Sequence, residues 1–242
     1  MAAPQLSIIV PVYNEAENIL QVFDEIQGKI TTPHEVLVVY DFDGDTTVPV
    51  VQAAMEDYHH IHLVKNTYGP GALEAIRTGF DYSKGKAILV TMADLSDDLS
   101  CVDEMAELVL HERFDVVAGS RYMKGGGQKG GPWLKGQLSK LAGHSLHWFT
   151  GMPIHDATNN FRMYSRRLLD SVTIESDGGF ELALELTVKA HCLNYHLTEV
   201  PTTWQDRTAG ESRFRLFKWL PKYLRWYFYA MKGKKEKTND EL

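Results

Sequence analysis

The chain is poor in cysteine: Cys101 and Cys192 are its two, far apart in sequence, so no disulfide framework holds it together. It has no apolar run of membrane-spanning length and no charged-then-apolar leader, from which a cytoplasmic, reducing compartment is expected. Excess positive charge is also lacking. Lys and Arg number 25 against 32 Asp and Glu, a net charge of -7, which speaks against bulk neutralisation of phosphates, so no nucleic-acid partner is expected. Repeats are absent, and the one low-complexity stretch, the glycine run over 125–131, lacks the Lys-Ser/Thr ending and helix context of a P-loop. What remains is a globular composition, 44% hydrophobic and 24% charged over 242 residues, long enough to bury a core without staples.

The hydrophobic pattern alternates between two kinds of segment. Short apolar runs over 6–10, 35–40, 61–64, 87–92 and 115–118 read as buried strands, the first stopped by Pro11. Between them lie helical stretches over 15–30, around 50–58, over 71–82 and over 101–111; in the first, Ile19, Val22, Phe23, Ile26 and Ile30 share a face. Strands with little internal alternation, separated by amphipathic helices, imply a parallel sheet covered on both faces. Such sheets bind ligands beyond the carboxyl ends of their strands. The loops over 11–15, 41–47, 66–71, 93–98 and 120–131 are therefore the candidate site.

Two of these loops are acidic. Asp41-Phe42-Asp43-Gly44-Asp45 reads, taken alone, as a solvated turn with Asp45 capping the next helix; no glutamate follows at EF-hand distance. Asp94, Asp97 and Asp98 cluster after another strand, and a hard divalent cation bridging a diphosphate wants such an oxygen-rich loop. Ser96, Asp97 or Asp98 also suits a helix cap, which leaves Asp94 the least explained by capping. His144 and His147 share a helical face, but no third zinc ligand with convincing spacing accompanies them, and packed or solvated histidines are expected.

The C-terminal segment, 214–242, stands apart from residues 1–213. Arg215, Lys218, Lys222 and Arg225 fall on one helical face and Phe217, Leu220, Leu224, Tyr227, Phe228 and Met231 on another, with Pro221 expected to kink or break the helix. Two readings hold equally. One is a terminal helix packed on the domain; the other is an interfacial helix with Trp219 and Trp226 at headgroup level and lysines 232, 234, 235 and 237 near anionic lipid.

Taken together the motifs form a series: Pro11-Val-Tyr-Asn-Glu15, Asp41 and Asp45, Gly69-Pro-Gly71, Ala93-Asp94-Leu95, Gly119-Ser-Arg-Tyr122, Asp156 to Tyr164, and Asp206-Arg-Thr-Ala-Gly-Glu-Ser212. In order and spacing it resembles the family 2 glycosyltransferases of GT-A fold, most closely their dolichol-phosphate mannose synthase branch. The resemblance implies an α/β, Rossmann-like, mostly parallel sheet flanked by helices. It implies inverting transfer of a hexose from a GDP- or UDP-linked nucleotide sugar to a polyprenyl or dolichyl phosphate, at the cytoplasmic face of an anionic membrane. Pro11, Tyr13, Glu15, Asp41 and Gly71 would line the nucleotide pocket, and Asp94 would hold Mg²⁺ or Mn²⁺ with the diphosphate. Arg121, Lys135 and Ser139 match positions that grip the acceptor phosphate; Arg207 and Ser212 match a loop over the donor diphosphate. Asp94, Arg121, Lys135 and Arg207 would carry the catalysis, and guanidinium and ammonium groups are apt partners for phosphate oxygens. The glycine run would be a mobile loop over the acceptor.

The chain departs from that branch in places. Met92 stands where an aspartate is usual, Tyr40-Asp-Phe-Asp43 where Asp-Asp-Gly-Ser is usual, Asn160 where a glycine is common, and Lys135 where an arginine is. Two rival readings follow. A hydroxyl acceptor would need a carboxylate base, for which Glu181 is the best candidate; a catalytically silent nucleotide-sugar-binding protein is motivated by Met92.

Overall fold

The computed structural model describes residues 3–131, 133–179, 181–206 and 216–240, without the side chains of 134, 135, 216–219 and 234–240. Its centre is a seven-stranded sheet in the order β3-β2-β1-β4-β7-β5-β8. The strands are β1 (Leu6–Val12), β2 (His34–Tyr40), β3 (Ile61–Lys65), β4 (Ala87–Val90), β5 (Val116–Ser120), β7 (Arg162–Ser165) and β8 (Leu197–Pro201). All neighbours run parallel except β7, which is antiparallel to both β4 and β5. The expected α/β class and mostly parallel sheet are thus observed. β1 continues through Pro11, because there it pairs with β2 alone: Ile9 O takes the Thr91 N–H on the other side, and β4 has ended. Proline's missing donor then costs no ladder bond.

Helices α1 (Ile19–Lys29), α2 (Thr47–Ala54) and α4 (Val102–Leu110) cover one face. The other face is covered by α3 (Ala72–Tyr82), α5 (Trp133–Thr150), α6 (Arg166–Ser171), α7 (Leu182–Cys192) and α8 (Leu216–Asp240). The apolar face expected of the first helix is the one α1 buries, Ile19, Val22, Phe23 and Ile26. The second helix begins three residues earlier than its apolar run, at Thr47. Asp45 is wholly buried and holds this start in place: its Oδ1 accepts the Thr47 N–H at 2.8 Å, and both oxygens accept the Asn14 N–H at 3.1 Å.

Two expectations change. The glycine run is built into a small second sheet rather than a free loop. There β6 (Gly127–Lys129) pairs in parallel with β9 (Thr203–Gln205). Gly126 is required by close approach, since a Cβ there would lie 2.3 Å from Ser120 O. Trp226 does not reach a headgroup level either. It is 1% exposed, donates to Ser176 Oγ at 3.2 Å, and lies beneath the Lys189 ammonium at 5.0 Å. Residues 223, 226 and 230 form the inner face of α8. The cations Lys222 and Arg225 reach sideways to Asp177 and Glu175, at 2.8 and 2.7 Å. Leu220, Leu224 and Phe228 face outward, exposed. Pro221 sits within the helix, which runs on past it. Trp219 and the lysines at 234, 235 and 237 lie outside the described side chains, as do Arg215, Phe217 and Lys218.

Candidate active site

The loops at the carboxyl edge of the sheet are fastened to each other. Asn14 and Leu95 adopt left-handed backbone (φ 57° and 58°), which asparagine visits readily but which costs leucine roughly 1–2 kcal/mol. Each lies in a loop expected to carry function, and backbone strain persists where the surroundings enforce it. On one side, Asp41 ties two loops together: Oδ1 accepts Asn66 Nδ2 and Oδ2 accepts the Gly71 N–H, both at 2.8 Å. Gly71 has φ 127°, reachable at low cost only by glycine. Pro11 is buried in β1, and Glu15 takes the Asn18 side-chain amide at 2.9 Å, while its own N–H donates to Thr47 Oγ1 at 2.8 Å. Tyr13, exposed, tilts against Phe42 with 5.6 Å between ring centroids, giving an aromatic pair beside Asp41. All five expected nucleotide residues, Pro11, Tyr13, Glu15, Asp41 and Gly71, thus gather at the ends of β1 and β2 and the start of α3.

The acidic loop follows β4. Asp94 Oδ1 accepts the Ser96 N–H at 3.2 Å and the Ser96 hydroxyl at 2.6 Å. Asp98 does the capping work, its Oδ1 accepting the Ser100 N–H at 3.1 Å. Asp97 has a different setting. Thr91 Oγ1 donates to it at 3.2 Å, and burial, followed by the neighbouring charge of Asp94, pushes its carboxyl up to about 7. A carboxylate whose ionisation is opposed by a neighbouring carboxylate makes, with that neighbour, a fitting donor set for a hard divalent cation. Magnesium is typically held by one or two protein carboxylates plus substrate phosphates. The thioether of Met92 adds no hard ligand. Asp94 with Asp97 therefore fits such an ion, although no group of three or more His, Cys, Asp or Glu suited to a metal exists among the described residues. β9 approaches this loop: Gln205 N donates to Ser96 O at 2.9 Å, which brings Asp206 to its flank. Arg207 and Ser212, which follow, lie outside the described residues.

On the other side Arg121, after β5, is 12% exposed and grips Asp156, which is 0% exposed. Nε donates to Oδ2 at 2.7 Å, an Nη to Oδ1 at 3.0 Å, and the backbone N–H to Oδ2 at 3.1 Å. Burial pulls this guanidinium down, but the charge and hydrogen bonds of Asp156 outweigh it and hold it well above its ordinary value. The same Nη reaches Ser139 Oγ at 3.3 Å and Thr158 Oγ1 at 3.4 Å. Arg121 and Ser139, expected together, are thus brought together; Lys135 begins the same helix α5 one turn earlier, its side chain outside those described. Asp156 opens the motif that runs to Tyr164, where no signal in the sequence marks its role. Its role depends on a partner 35 positions away. Arg162, buried in the antiparallel strand, holds the loop in turn: Nε donates to Asn159 O at 2.8 Å, one Nη to Thr187 Oγ1 at 2.6 Å, and the other to Asp156 O. His155 packs against His144 and His147, with 5.3 and 4.3 Å between centroids, and faces Glu199 Oε1 at 2.6 Å.

Against known proteins, the profile of Glycosyl transferase family 2 matches residues 7–173. A polyprenol monophosphomannose synthase from Mycolicibacterium smegmatis is 30% identical over 213 residues, 85% of this chain and 79% of that protein. A dolichol-phosphate mannosyltransferase from Pyrococcus furiosus is 27% identical over 96% of this chain, which spans 65% of that protein's length. Among solved structures, glucosyl-3-phosphoglycerate synthase from Mycobacterium tuberculosis, in complex with Mn²⁺, UDP and glucosyl-3-phosphoglycerate, superposes with a TM-score of 0.67. That match has 17% identity and covers 96% of this chain and 80% of that one. The fold is therefore GT-A, and the chain belongs to glycosyl transferase family 2.

Proposed function

We propose that this family 2 glycosyltransferase moves a hexose from a GDP- or UDP-linked sugar to a polyprenyl phosphate, inverting the anomeric carbon. One observation carries the acceptor class: α5 is two-faced at the acceptor position. Its inner side brings Ser139 to Arg121, at 3.3 Å, while Trp133, Leu141 and Trp148 lie exposed on its outer side. Beside them, Leu220, Leu224 and Phe228 of α8 are exposed as well. An acceptor with a phosphate head and an apolar tail matches that pairing of a cationic niche with an apolar surface. The two relatives named for polyprenol and dolichol phosphate support the same class.

The chemistry asks little of a base. A phosphate monoester has a second pKa of roughly 6, so its oxygen is largely ionised at neutral pH and attacks the anomeric carbon without one. The bond from that carbon to the nucleoside diphosphate breaks as the new one forms. The chain must then align two anions and neutralise charge arising on the leaving group. Arg121 with Ser139 and Lys135 serves the incoming phosphate, and Arg207 with Ser212 the departing diphosphate. Asp94, with Asp97 beside it, would hold a divalent ion, which supplies Lewis-acid neutralisation of the diphosphate. No helix among the described residues is long and apolar enough to cross a membrane. The exposed strips of α5 and α8 suit peripheral attachment to a cytoplasmic membrane face, with the basic 214–242 segment adding attraction to anionic lipid.

The decisive assay incubates the full chain with GDP- and UDP-hexoses and a prenyl phosphate in detergent or vesicles. A prenyl-phosphate hexose product is expected. Turnover with sugar or peptide hydroxyls, and none with prenyl phosphate, would refute the acceptor class.

A further inference from the structure

Two glutamates stand one helical turn apart at the start of α7, and they differ in one respect. Glu185 is satisfied: its oxygens accept the Glu175 N–H at 2.6 Å, the Ser176 N–H at 2.8 Å and the Lys189 ammonium at 2.8 Å. Glu181 is equally buried, 1% exposed, but only its Oε2 is used, accepting the Gly179 N–H at 3.1 Å. Among the described residues its Oε1 has no hydrogen bond. A buried carboxylate oxygen left unpartnered is costly, and a fold does not need one to make a helix cap.

Its place gives it a use. α7 leads into β8, which is parallel to β5, so the N-terminus of α7 lies at the carboxyl edge of the sheet, with the site. On one side Gly179 lies against the first turn of α3, where an added Cβ would be 3.5 Å from Leu73 N, just past Gly71 of the nucleotide loops. On the other side is Tyr223 of α8. Burial raises its hydroxyl, the charge of Glu181 adds most to this, and Arg121, Arg162 and Asp156 are felt there too. Glu181 therefore lies near the nucleotide loops and near Tyr223, which also senses the arginine proposed for the acceptor phosphate. Between those two anions must lie the group that passes from one to the other, a neutral polyol. A carboxylate oxygen repels phosphate and accepts hydrogen bonds from hydroxyls.

We propose that Glu181 Oε1 accepts a hydrogen bond from a ring hydroxyl of the transferred hexose and so selects the donor sugar. The inference rests on the hexose-transfer reading above. Glu181 is then a specificity residue, with no bond made or broken at it. A site built to bond a hydroxyl rejects the analogue lacking it, because its own polar group is left unpaired.

The test uses the full chain, the accepted nucleotide hexose, and its monodeoxy analogues at each ring hydroxyl. kcat/KM is measured with prenyl phosphate, and donor Kd by calorimetry without acceptor. Wild type should penalise one deoxy donor by roughly ten- to a hundredfold more than the others, as expected for a hydrogen bond to a charged group. Glu181→Ala should be weakened with the parent sugar and show no extra penalty for that deoxy donor, with affinity for the bare nucleoside diphosphate unchanged. Glu181→Gln, which keeps an acceptor oxygen and can still take the Gly179 N–H, should retain part of the discrimination, and it stands in should Glu181→Ala fold poorly. A discrimination profile in either variant identical to that of wild type would overturn the proposal. So would loss, in Glu181→Gln, of the acidic, ascending limb of a pH–rate profile on a hydroxyl acceptor, which marks a general base instead. If prenyl phosphate is no substrate, the acceptor reading fails alone, since donor Kd and donor hydrolysis still report the sugar selection.

Discussion

Removing Asp156 tests how the acceptor niche is assembled. Its carboxylate, 0% exposed, takes three N–H groups of Arg121 between 2.7 and 3.1 Å. Asp156→Ala would leave a guanidinium 12% exposed with two hydroxyls and the Tyr122 ring against it and no hydrogen-bonded carboxylate. Breaking a buried pair by deleting one member costs roughly 3–5 kcal/mol, because the remaining charge is uncompensated. For a chain of this length each kcal/mol moves the midpoint by about 2–4 °C, so Tm should fall by roughly 6–20 °C. Arg121→Ala should cost a comparable amount, leaving the carboxylate stranded. The double change, Arg121→Ala with Asp156→Ala, should cost clearly less than the two single losses together. Differential scanning calorimetry of the four proteins gives the cycle. A Tm change below about 2 °C for Asp156→Ala, or single losses that simply add, would refute the reasoning that this pair is a coupled, buried unit.

Where folding is preserved, Arg121→Ala should raise KM for prenyl phosphate roughly ten- to a hundredfold and leave nucleotide Kd nearly unchanged; weakened nucleotide binding alone would move Arg121 to the donor side. Asp94→Ala should abolish Mn²⁺-assisted binding of the nucleoside diphosphate by calorimetry, and wild-type binding that is the same in chelator would refute this. Asp97 ionises near 3.8 in an unfolded chain but about 7 in the fold, so its contribution to stability is present below 4 and is lost as pH rises through 7. The Tm of the ligand-free protein should accordingly fall less between pH 5 and 8 in Asp97→Asn than in wild type; parallel curves would contradict it. Trp148→Glu with Phe228→Glu should reduce pelleting with anionic vesicles, whereas Trp226→Phe should lower Tm and leave pelleting intact. Equal pelleting of all three proteins would argue against a membrane-facing strip.

Much of this architecture is decided by local pattern. Apolar runs such as 35–40, separated by helices with a single apolar face, admit few arrangements besides a covered parallel sheet, and they put Asp41, Asp94 and Arg121 at one edge of it. The antiparallel β7, inserted between β4 and β5, was not legible, because a four-residue buried strand has no marker of direction in its side chains. Partnership was not legible either. The glycine run looked like a free loop because its partner strand lies some 75 positions on, and Trp226 looked interfacial because a helical wheel shows which residues share a face without showing which face meets the core. Asp156 and Glu181 make the same point in opposite directions: only the fold shows that the first carboxylate is fully engaged by Arg121 and that the second keeps an oxygen in reserve. Sequence period fixes which residues share a face and which loops share an edge, because backbone geometry repeats. Which buried charge meets which partner is decided by long-range packing, because desolvation is settled only when distant segments close around it.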